Sequence, residues 1–297
     1  MTTQELSIEL PIFEETENHS EFVSPRGCIV PMITPVIFDT HYKGIDWKGV
    51  ETVVDHIKKG KADGIFILGN AGSFQCLPVE DKVNLITDVT LLANDIPVYV
   101  GISDSSLENT KKLAHHAELC HASAVVLIPH FDGTDPDIVV DSVMKATSLP
   151  VVFYNNPGIC AIKSDLSDSQ VRKWNTLYPN RIAGVKESSG NRDVFLSFAL
   201  MQKEIGIPVL MGDAKSINWA RSLESQIDGY TLRGAIPVHA NLETEKYSQY
   251  FQNVGAIDAD LDAYVAEFPS IPHTIRAMNE AGFIGGDSFA YWQESHT

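Results

Sequence analysis

The sequence contains few cysteines and few basic residues. Its four cysteines are scattered along 297 residues and show none of the paired spacings of zinc sites or thioredoxin-like motifs. We expect reduced thiols in a cytoplasmic protein, because disulfide frameworks are typical of small secreted domains. The ten histidines form no HExxH or comparable ligand grouping, so the sequence argues against a metal site.

Lysine and arginine together number 22, against 39 aspartates and glutamates, and the formal net charge is -17. We therefore expect neither nucleic acid nor an anionic membrane as a partner, since both bind basic surfaces. The sequence has no apolar run long enough to cross a membrane, and its first residues do not resemble a leader peptide. A local group of lysine and arginine side chains can still bind an anionic substrate in such an acidic protein.

What the sequence does contain is a repeated alternation of apolar runs and amphipathic segments with helical spacing. The predicted strands are Cys28–Ile33, Gly64–Leu68, Val98–Ile102, Ala124–Ile128, Val151–Tyr154, Ile182–Lys186, Val209–Met211 and Gly229–Leu232. Several are apolar throughout, as in strands covered on both faces. Eight strand–helix units predict an α/β fold, the (β/α)8 or TIM barrel. A doubly wound open sheet is the alternative, but no dinucleotide-binding glycines follow the first strand.

The composition divides the chain into three segments. Residues 1–25 are polar and acidic, and we predict a flexible extension there. Residues 26–240 form the predicted catalytic barrel. Residues 241–297 have helical character, and we predict a helical appendage that packs on the barrel.

Lys186 ends the sixth predicted strand, where the loops of a barrel build its active site. A lysine removed from water has a lowered pKa, and its neutral amine is a nucleophile toward a carbonyl carbon. The alternative is a lysine whose stem covers the sheet edge while its head reaches solvent.

Tyr154 ends the neighbouring strand, so a lysine and a tyrosine share one cavity if the barrel closes. The glycine-flanked turn of residues 69–73 follows the second strand and offers backbone N–H groups to an anion. The alternatives are an aromatic ring that caps the barrel, and a tight turn that needs glycine for its conformation alone.

Three landmarks in this order resemble the dihydrodipicolinate synthase / N-acetylneuraminate lyase family of class I aldolases, over roughly residues 26–290. They are Gly69-x-x-Gly72, Tyr154-Asn155-x-Pro157 and Gly184-Val185-Lys186-Glu187-Ser188-Ser189-Gly190. The resemblance implies that Lys186 forms a Schiff base with the keto carbon of pyruvate, or of a 2-keto acid that releases it. It implies that Tyr154 moves protons, that no cofactor is needed, and that the protein is a homotetramer of paired dimers.

By the same resemblance, the turn would clamp the pyruvate carboxylate through Asn70, Ala71, Gly72 and Ser73. The family usually carries threonine or serine pairs between these glycines and glutamate after them, so this chain departs from the pattern. A tyrosine expected after the fourth strand is replaced by Phe131, which we count among the substrate-binding residues. The arginine expected after the Tyr-Asn-x-Pro motif is also missing, and dihydrodipicolinate synthase activity is therefore disfavoured.

Residues after the last strands are expected to select the second substrate. Lys215 and Arg233 are candidates for binding a distal carboxylate of the substrate. The alternative is that both are ordinary charged residues at the rim of the barrel. Asp213 either binds a substrate hydroxyl or caps the following helix. Cleavage of sialic acid is disfavoured, because Ala214 and Lys215 stand where the lyases for that sugar carry acidic residues.

These observations lead to one main hypothesis, a carbon–carbon lyase that reversibly cleaves a 2-keto-3-deoxy sugar acid or 4-hydroxy-2-keto acid to pyruvate and an aldehyde. The alternatives are 4-hydroxy-tetrahydrodipicolinate synthase and a barrel that binds 2-keto acids with little turnover.

Overall fold

The computed structural model describes residues 24–38, 41–253, 258–268 and 270–283. Its strands are β1 (Gly27–Pro31), β2 (Val36–Phe38), β3 (Tyr42–Ile45), β4 (Gly64–Ile67), β5 (Val98–Gly101), β6 (Ala124–Leu127), β7 (Val151–Asn155), β8 (Ile182–Glu187), β9 (Val209–Met211) and β10 (Gly234–Ala235). Its helices are α1 (Trp47–Lys59), α2 (Val79–Ala93), α3 (Leu107–Leu119), α4 (Pro136–Ala146), α5 (Asp168–Leu177), α6 (Arg192–Ile205), α7 (Ile217–Ser222), α8 (Thr244–Gln252), α9 (Ala259–Glu267) and α10 (Ile271–Glu280).

Eight of the strands close a parallel barrel in the order β1, β10, β9, β8, β7, β6, β5 and β4, and β4 pairs with β1. The predicted (β/α)8 fold is therefore confirmed. The strands β4, β5 and β6 are buried at every position, because side chains fill the barrel inside and helices cover it outside. A short antiparallel hairpin of β2 and β3 follows β1 and was not predicted.

Six of the ten helices in the described residues begin at a capping side chain. The side chain of Asp46 accepts a hydrogen bond from the N–H of Gly49 at 3.1 Å and so begins α1. At the start of α5, Ser167 and Gln170 form a reciprocal capping box. These local signals explain why most predicted helices lie within a few residues of the observed ones.

The prediction was wrong for the eighth strand. Residues 229–232 are turn and irregular chain, and the strand is β10, two residues further on. Gly229 has φ of +80°, a left-handed conformation that interrupts an extended strand. Tyr230 and Leu232 are nevertheless buried, and their alternating apolar pattern in the sequence is the same as that of a strand. As a consequence, Arg233 precedes the eighth barrel strand and does not follow it.

The C-terminal part of the chain packs on the barrel through helices. The helix α8 lies against β1 and α1. The helices α9 and α10 bury apolar side chains, among them Leu261 and Ile275. Residues 1–23 of the predicted extension and residues 284–297 of the predicted appendage lie outside the described residues.

Among the helices of the described residues, none is both long and apolar enough to span a bilayer.

Candidate active site

The carboxyl ends of the barrel strands surround a cavity of about 300 Å³. Its walls come from the ends of β1, β7 and β8, from the loops after β4, β9 and β10, and from the start of α10. Six of the predicted site residues line it: Lys186, Tyr154, Asn70, Ala71, Asp213 and Lys215. The fold therefore brings together residues from four strand ends that are up to 145 positions apart in the chain (from residue 70 to residue 215).

Lys186 is almost completely buried, with 4% of its surface exposed. Its Nζ lies 4.0 Å from the centroid of the Tyr154 ring and 4.7 Å from that of Phe66. Burial lowers the pKa of Lys186 to about 7, and no charged neighbour in the described part of the chain offsets this effect. A large fraction of the amine is therefore neutral near pH 7. The alternative in which the head of Lys186 reaches solvent is wrong.

Tyr154 lies next to Lys186 because the strands β7 and β8 are paired in a register that places these two residues side by side. Its ring is buried, and its hydroxyl oxygen accepts a hydrogen bond from Nδ2 of Asn156 at 2.9 Å. Burial raises the pKa of Tyr154, although the hydrogen bond from Asn156 acts in the opposite direction. Tyr154 is therefore a neutral phenol when the cavity contains no additional cation.

A second network fixes the two strand ends beside this pair. The amide of Asn155 donates hydrogen bonds to Glu187 at 2.5 Å and to Asp165 at 3.1 Å. Glu187 also accepts a hydrogen bond from the N–H of Ser189 at 2.6 Å. Burial raises the pKa of Glu187, although hydrogen bonds from Ser189 and Asn155 oppose that shift. The asparagine of the Tyr-Asn-x-Pro landmark thus positions the strands and does not line the cavity.

Gly212 gives the lysine side chain its space. A Cβ at this position would lie 1.8 Å from Oγ of Ser188 and 3.1 Å from Cε of Lys186. Any larger residue would therefore displace the side chains of both. Ser188 lines the cavity and was not among the predicted site residues.

Only part of the turn predicted to bind the pyruvate carboxylate lines the cavity. Asn70 and Ala71 line the cavity, whereas Gly72 and Ser73 do not. The N–H groups of Gly72 and Ser73 donate to the carbonyls of Gly69 and Asn70, both at 3.0 Å, and so close the turn itself. A Cβ on Gly72 would lie 2.8 Å from Oγ1 of Thr34, which explains the glycine by close packing.

The loops after β9 and β10 form the other end of the cavity. Asp213 accepts hydrogen bonds from the N–H of Lys215 at 3.2 Å and from Oγ of Ser216 at 2.9 Å. This is the capping geometry that sequence analysis gave as one of two roles for Asp213, and the residue lines the cavity as well. Lys215 is exposed at the rim.

His239 was missed by sequence analysis. It is 4% exposed, its Nε2 lies 2.6 Å from the carbonyl oxygen of Phe268, and its Nδ1 has no hydrogen-bond partner in the described residues. Burial lowers the pKa of His239, although the bond to Phe268 acts against that effect. A neutral ring that donates from Nε2 keeps an acceptor lone pair on Nδ1. Correct placement of β10 would have identified this residue at a strand end.

Besides Gly72 and Ser73, two other predicted residues do not line the cavity. The ring of Phe131 packs on Phe74, with 5.2 Å between ring centroids, and is not part of the cavity wall. Arg233 lines a different cavity, at the amino ends of the strands. Both placements correct the predictions, and the second follows directly from the shifted eighth strand.

No group of three or more histidine, cysteine, aspartate or glutamate side chains in the described residues has the arrangement of a metal site.

The fold and the cavity define a (β/α)8 barrel with a buried, unpaired lysine at the carboxyl ends of its strands. The family model described as the dihydrodipicolinate synthetase family matches residues 24–263, and the chain belongs to this family.

Relatives in the family carry different names. The probable 2-dehydro-3-deoxy-D-pentonate aldolase YjhH of Escherichia coli K12 is 29% identical over 163 residues, which is 53% of each chain. The 4-hydroxy-tetrahydrodipicolinate synthase of Bacillus subtilis strain 168 is 25% identical over 246 residues, 77% of this chain and 81% of that protein. For YjhH and several other curated relatives, this chain spans about half of the relative's length.

Solved structures share the fold. Dihydrodipicolinate synthase from Bacteroides thetaiotaomicron has a TM-score of 0.75 and 22% identity, over 88% of this chain and 91% of that one. YagE from E. coli K12, in complex with pyruvate, has a TM-score of 0.70 and 22% identity, over 87% and 85% of the two chains. At these identities the likeness supports the fold alone.

Proposed function

We propose that the protein is a Schiff-base lyase that reversibly cleaves a 2-keto-3-deoxy sugar acid or 4-hydroxy-2-keto acid to pyruvate and an aldehyde. The observation that carries this proposal is the Lys186 amine, which is buried without a counter-charge, beside a phenol, in an accessible cavity. The name of YjhH as a pentonate aldolase and the pyruvate complex of YagE agree with this chemistry.

The first step is imine formation. The neutral amine of Lys186 attacks the C2 keto carbon, and one of its protons passes to the oxygen. The Tyr154 phenol supplies a second proton to that oxygen, which leaves as water and gives a protonated imine beside a phenolate. Because burial lowers the pKa of Lys186 to about 7, the amine is available for this attack without a separate base. Asn70 and Ala71 hold the adjacent carboxylate through the side-chain amide and the backbone N–H.

The second step breaks the C3–C4 bond. Its electron pair moves toward the iminium nitrogen while the 4-hydroxyl group loses its proton, which gives an aldehyde and an enamine. Tyr154 accepts that proton as a phenolate and later returns it to C3. The iminium forms about 4.0 Å from the tyrosine ring, and a cation at that distance stabilises the phenolate against the effect of burial. Addition of water then releases pyruvate and restores the amine.

The far end of the cavity selects the aldehyde portion. Asp213 and Lys215 lie there together with His239. The free lone pair on Nδ1 of His239 suits a substrate hydroxyl, which is a donor. A polyhydroxy aldehyde fits this set of groups better than an apolar one.

Trapping with borohydride tests the proposal. Pyruvate and borohydride together should reduce the imine to a stable secondary amine, and peptide mapping should locate it on Lys186. A panel of 2-keto-3-deoxy acids is then tested for pyruvate release. Release from a panel member supports the lyase. An adduct without any release supports the alternative of a keto-acid-binding barrel, and no adduct overturns both.

4-Hydroxy-tetrahydrodipicolinate synthase is the second candidate, because several relatives carry that name. Two features speak against it: Phe131 lacks the hydroxyl of the second tyrosine expected at that position, and Gly158-Ile159-Cys160 replaces the arginine after the Tyr-Asn-x-Pro landmark. We expect no condensation of pyruvate with aspartate semialdehyde, measured as product absorbance in a coupled assay.

We also propose a homotetramer, on the family resemblance alone, and a cytoplasmic location, on the scattered cysteines. Sedimentation velocity of the purified chain tests the tetramer.

A further inference from the structure

A second cavity, of about 350 Å³, lies at the amino ends of the strands, opposite the candidate active site. Three arginines and one glutamate line it: Arg26, Arg221, Arg233 and Glu224. Arg26 comes just before β1 and Arg233 just before β10. The N–H of Gly27 donates to the carbonyl of Arg233 at 2.7 Å, and this bond places the two arginines side by side.

Arg221 is the unusual member of this group. It is 4% exposed, and its guanidinium lies 4.4 Å from the ring of Tyr250 and 5.3 Å from that of Phe251. Its Nε and Nη2 atoms have no hydrogen-bond partner among the described residues. Arginine does not lose its proton in proteins, so burial leaves a cation with two nitrogens that have no partner in the described residues.

Two other arginines of the chain have more partners among the described residues. Arg172 pairs with Asp168 and Glu204, at 3.2 and 2.7 Å. Arg181 donates to backbone carbonyls, including that of Leu149 at 3.1 Å. Nε of Arg181 also has no partner, so Arg221 differs in leaving two nitrogens, Nε and Nη2, without one in the described residues.

The charge of the cavity is positive within an acidic protein. Three arginines against one glutamate leave a net charge of two. Glu224 already accepts a hydrogen bond from the N–H of Leu232 at 2.9 Å. Arg26 and Arg233 are exposed, so they are accessible to a ligand that enters from solvent.

We propose that this cavity binds a small organic dianion through carboxylate or phosphate oxygens. The planar fork of a guanidinium matches both groups with paired hydrogen bonds. The volume is in the range of small-molecule sites, and it is too small for a macromolecule. A polyanion such as nucleic acid would also be repelled by the net charge of -17. The inference does not depend on the proposed lyase activity.

Titration calorimetry on the full chain tests the proposal, with inorganic phosphate and succinate as separate probes at constant ionic strength. Binding of phosphate or of succinate shows whether the cavity prefers phosphate or carboxylate oxygens. We expect R26Q and R233Q each to weaken binding about tenfold, because each removes a charge-assisted hydrogen bond at an exposed position. R221M should remove detectable binding, with its circular dichroism spectrum as the check on folding. R172Q is the matched control and should bind as the unchanged protein does.

Two results would overturn the proposal. One is that neither probe binds at millimolar concentration. The other is that R26Q and R233Q bind as tightly as the unchanged protein while K215Q loses binding, because the anion would then occupy the cavity of Lys186. Pyruvate trapping at Lys186 should be equal in R233Q and the unchanged protein, since the two cavities lie at opposite ends of the barrel.

Discussion

Two lysines of this chain are buried to the same extent in different surroundings. Lys82 in α2 is 3% exposed, and its Nζ lies 2.7 Å from Oδ2 of Asp104. Burial alone would raise the pKa of Asp104, but hydrogen bonds from Lys82 and Asn109 lower it overall. Lys186 is 4% exposed and has aromatic rings where Lys82 has a carboxylate. Burial beside a counter-ion favours the charged form of a lysine, whereas burial without one favours the neutral amine.

Arg221 at the opposite end of the barrel extends this comparison. Its Nε and Nη2 have no partner among the described residues although Glu224 lines the same cavity, and unlike Lys186 it cannot become neutral. The proposed anion would pair with these two nitrogens, whereas Lys186 needs no anion once its amine is neutral.

The largest effect is expected from K186M, which replaces the amine by an apolar side chain of similar length. Borohydride-dependent labelling by pyruvate and any cleavage activity should fall below detection, because no other residue supplies the imine nitrogen. Intact-protein mass spectrometry measures the label. K111Q, at an exposed ion pair with Glu108, is the matched control and should be labelled normally. Labelling of K186M at another lysine would contradict the comparison.

Y154F should lower kcat about 100-fold, because a positioned proton-transfer group contributes roughly that factor or more. The ring next to Lys186 is kept, and the hydroxyl that accepts from Asn156 is lost. Steady-state kinetics on the best cleaved substrate gives the value. If kcat stays within twofold, Tyr154 is an aromatic wall and not a proton carrier.

D104N tests the other lysine. It leaves Lys82 buried and unpaired, and we expect the free energy of unfolding to fall by about 2 kcal/mol. K186M should change that free energy far less, since Lys186 has no ion pair to break. Urea denaturation of both variants measures the difference. Equal losses in the two would mean that the counter-ion does not distinguish these lysines.

The pH dependence of imine formation should follow the lowered pKa of Lys186, about 7. The neutral amine reacts, so the rate rises as pH increases through 7 and levels off above it. Between pH 8 and pH 6 we expect the rate to fall about tenfold. Stopped-flow measurement of adduct formation with pyruvate gives the profile. A rate that continues to rise tenfold per unit up to pH 9 would indicate a lysine with an ordinary pKa.

The smallest effect is expected from H239Q. Loss of the Nδ1 acceptor should raise KM for a hydroxylated substrate about fivefold, the scale of one neutral hydrogen bond. Trapping of pyruvate should remain unchanged, because pyruvate lacks the part of the substrate that reaches His239. An equal loss in trapping and in KM would instead point to a general disturbance of the cavity.

Much of the fold could be predicted because its signals are local. Seven of the eight barrel strands are apolar runs whose predicted positions overlap the observed ones, and capping residues such as Ser106 and Ser167 mark helix starts. The eighth strand has only two residues, and the buried pair Tyr230 and Leu232 imitated it. Burial in a loop and burial in a strand give the same local pattern.

The apolar strand pattern was enough to predict the barrel, the lysine at the end of its sixth strand and the tyrosine on the strand before it. The fold was needed to show that Lys186 has no counter-ion among the described residues, that His239 lines the cavity, and that Arg233 lies at the other end of the barrel. The reason is that the spacing of apolar residues and the choice of turn residues reflect interactions between near neighbours in the chain. The partners of a buried charge are set by strand register and barrel closure, which join residues far apart in sequence.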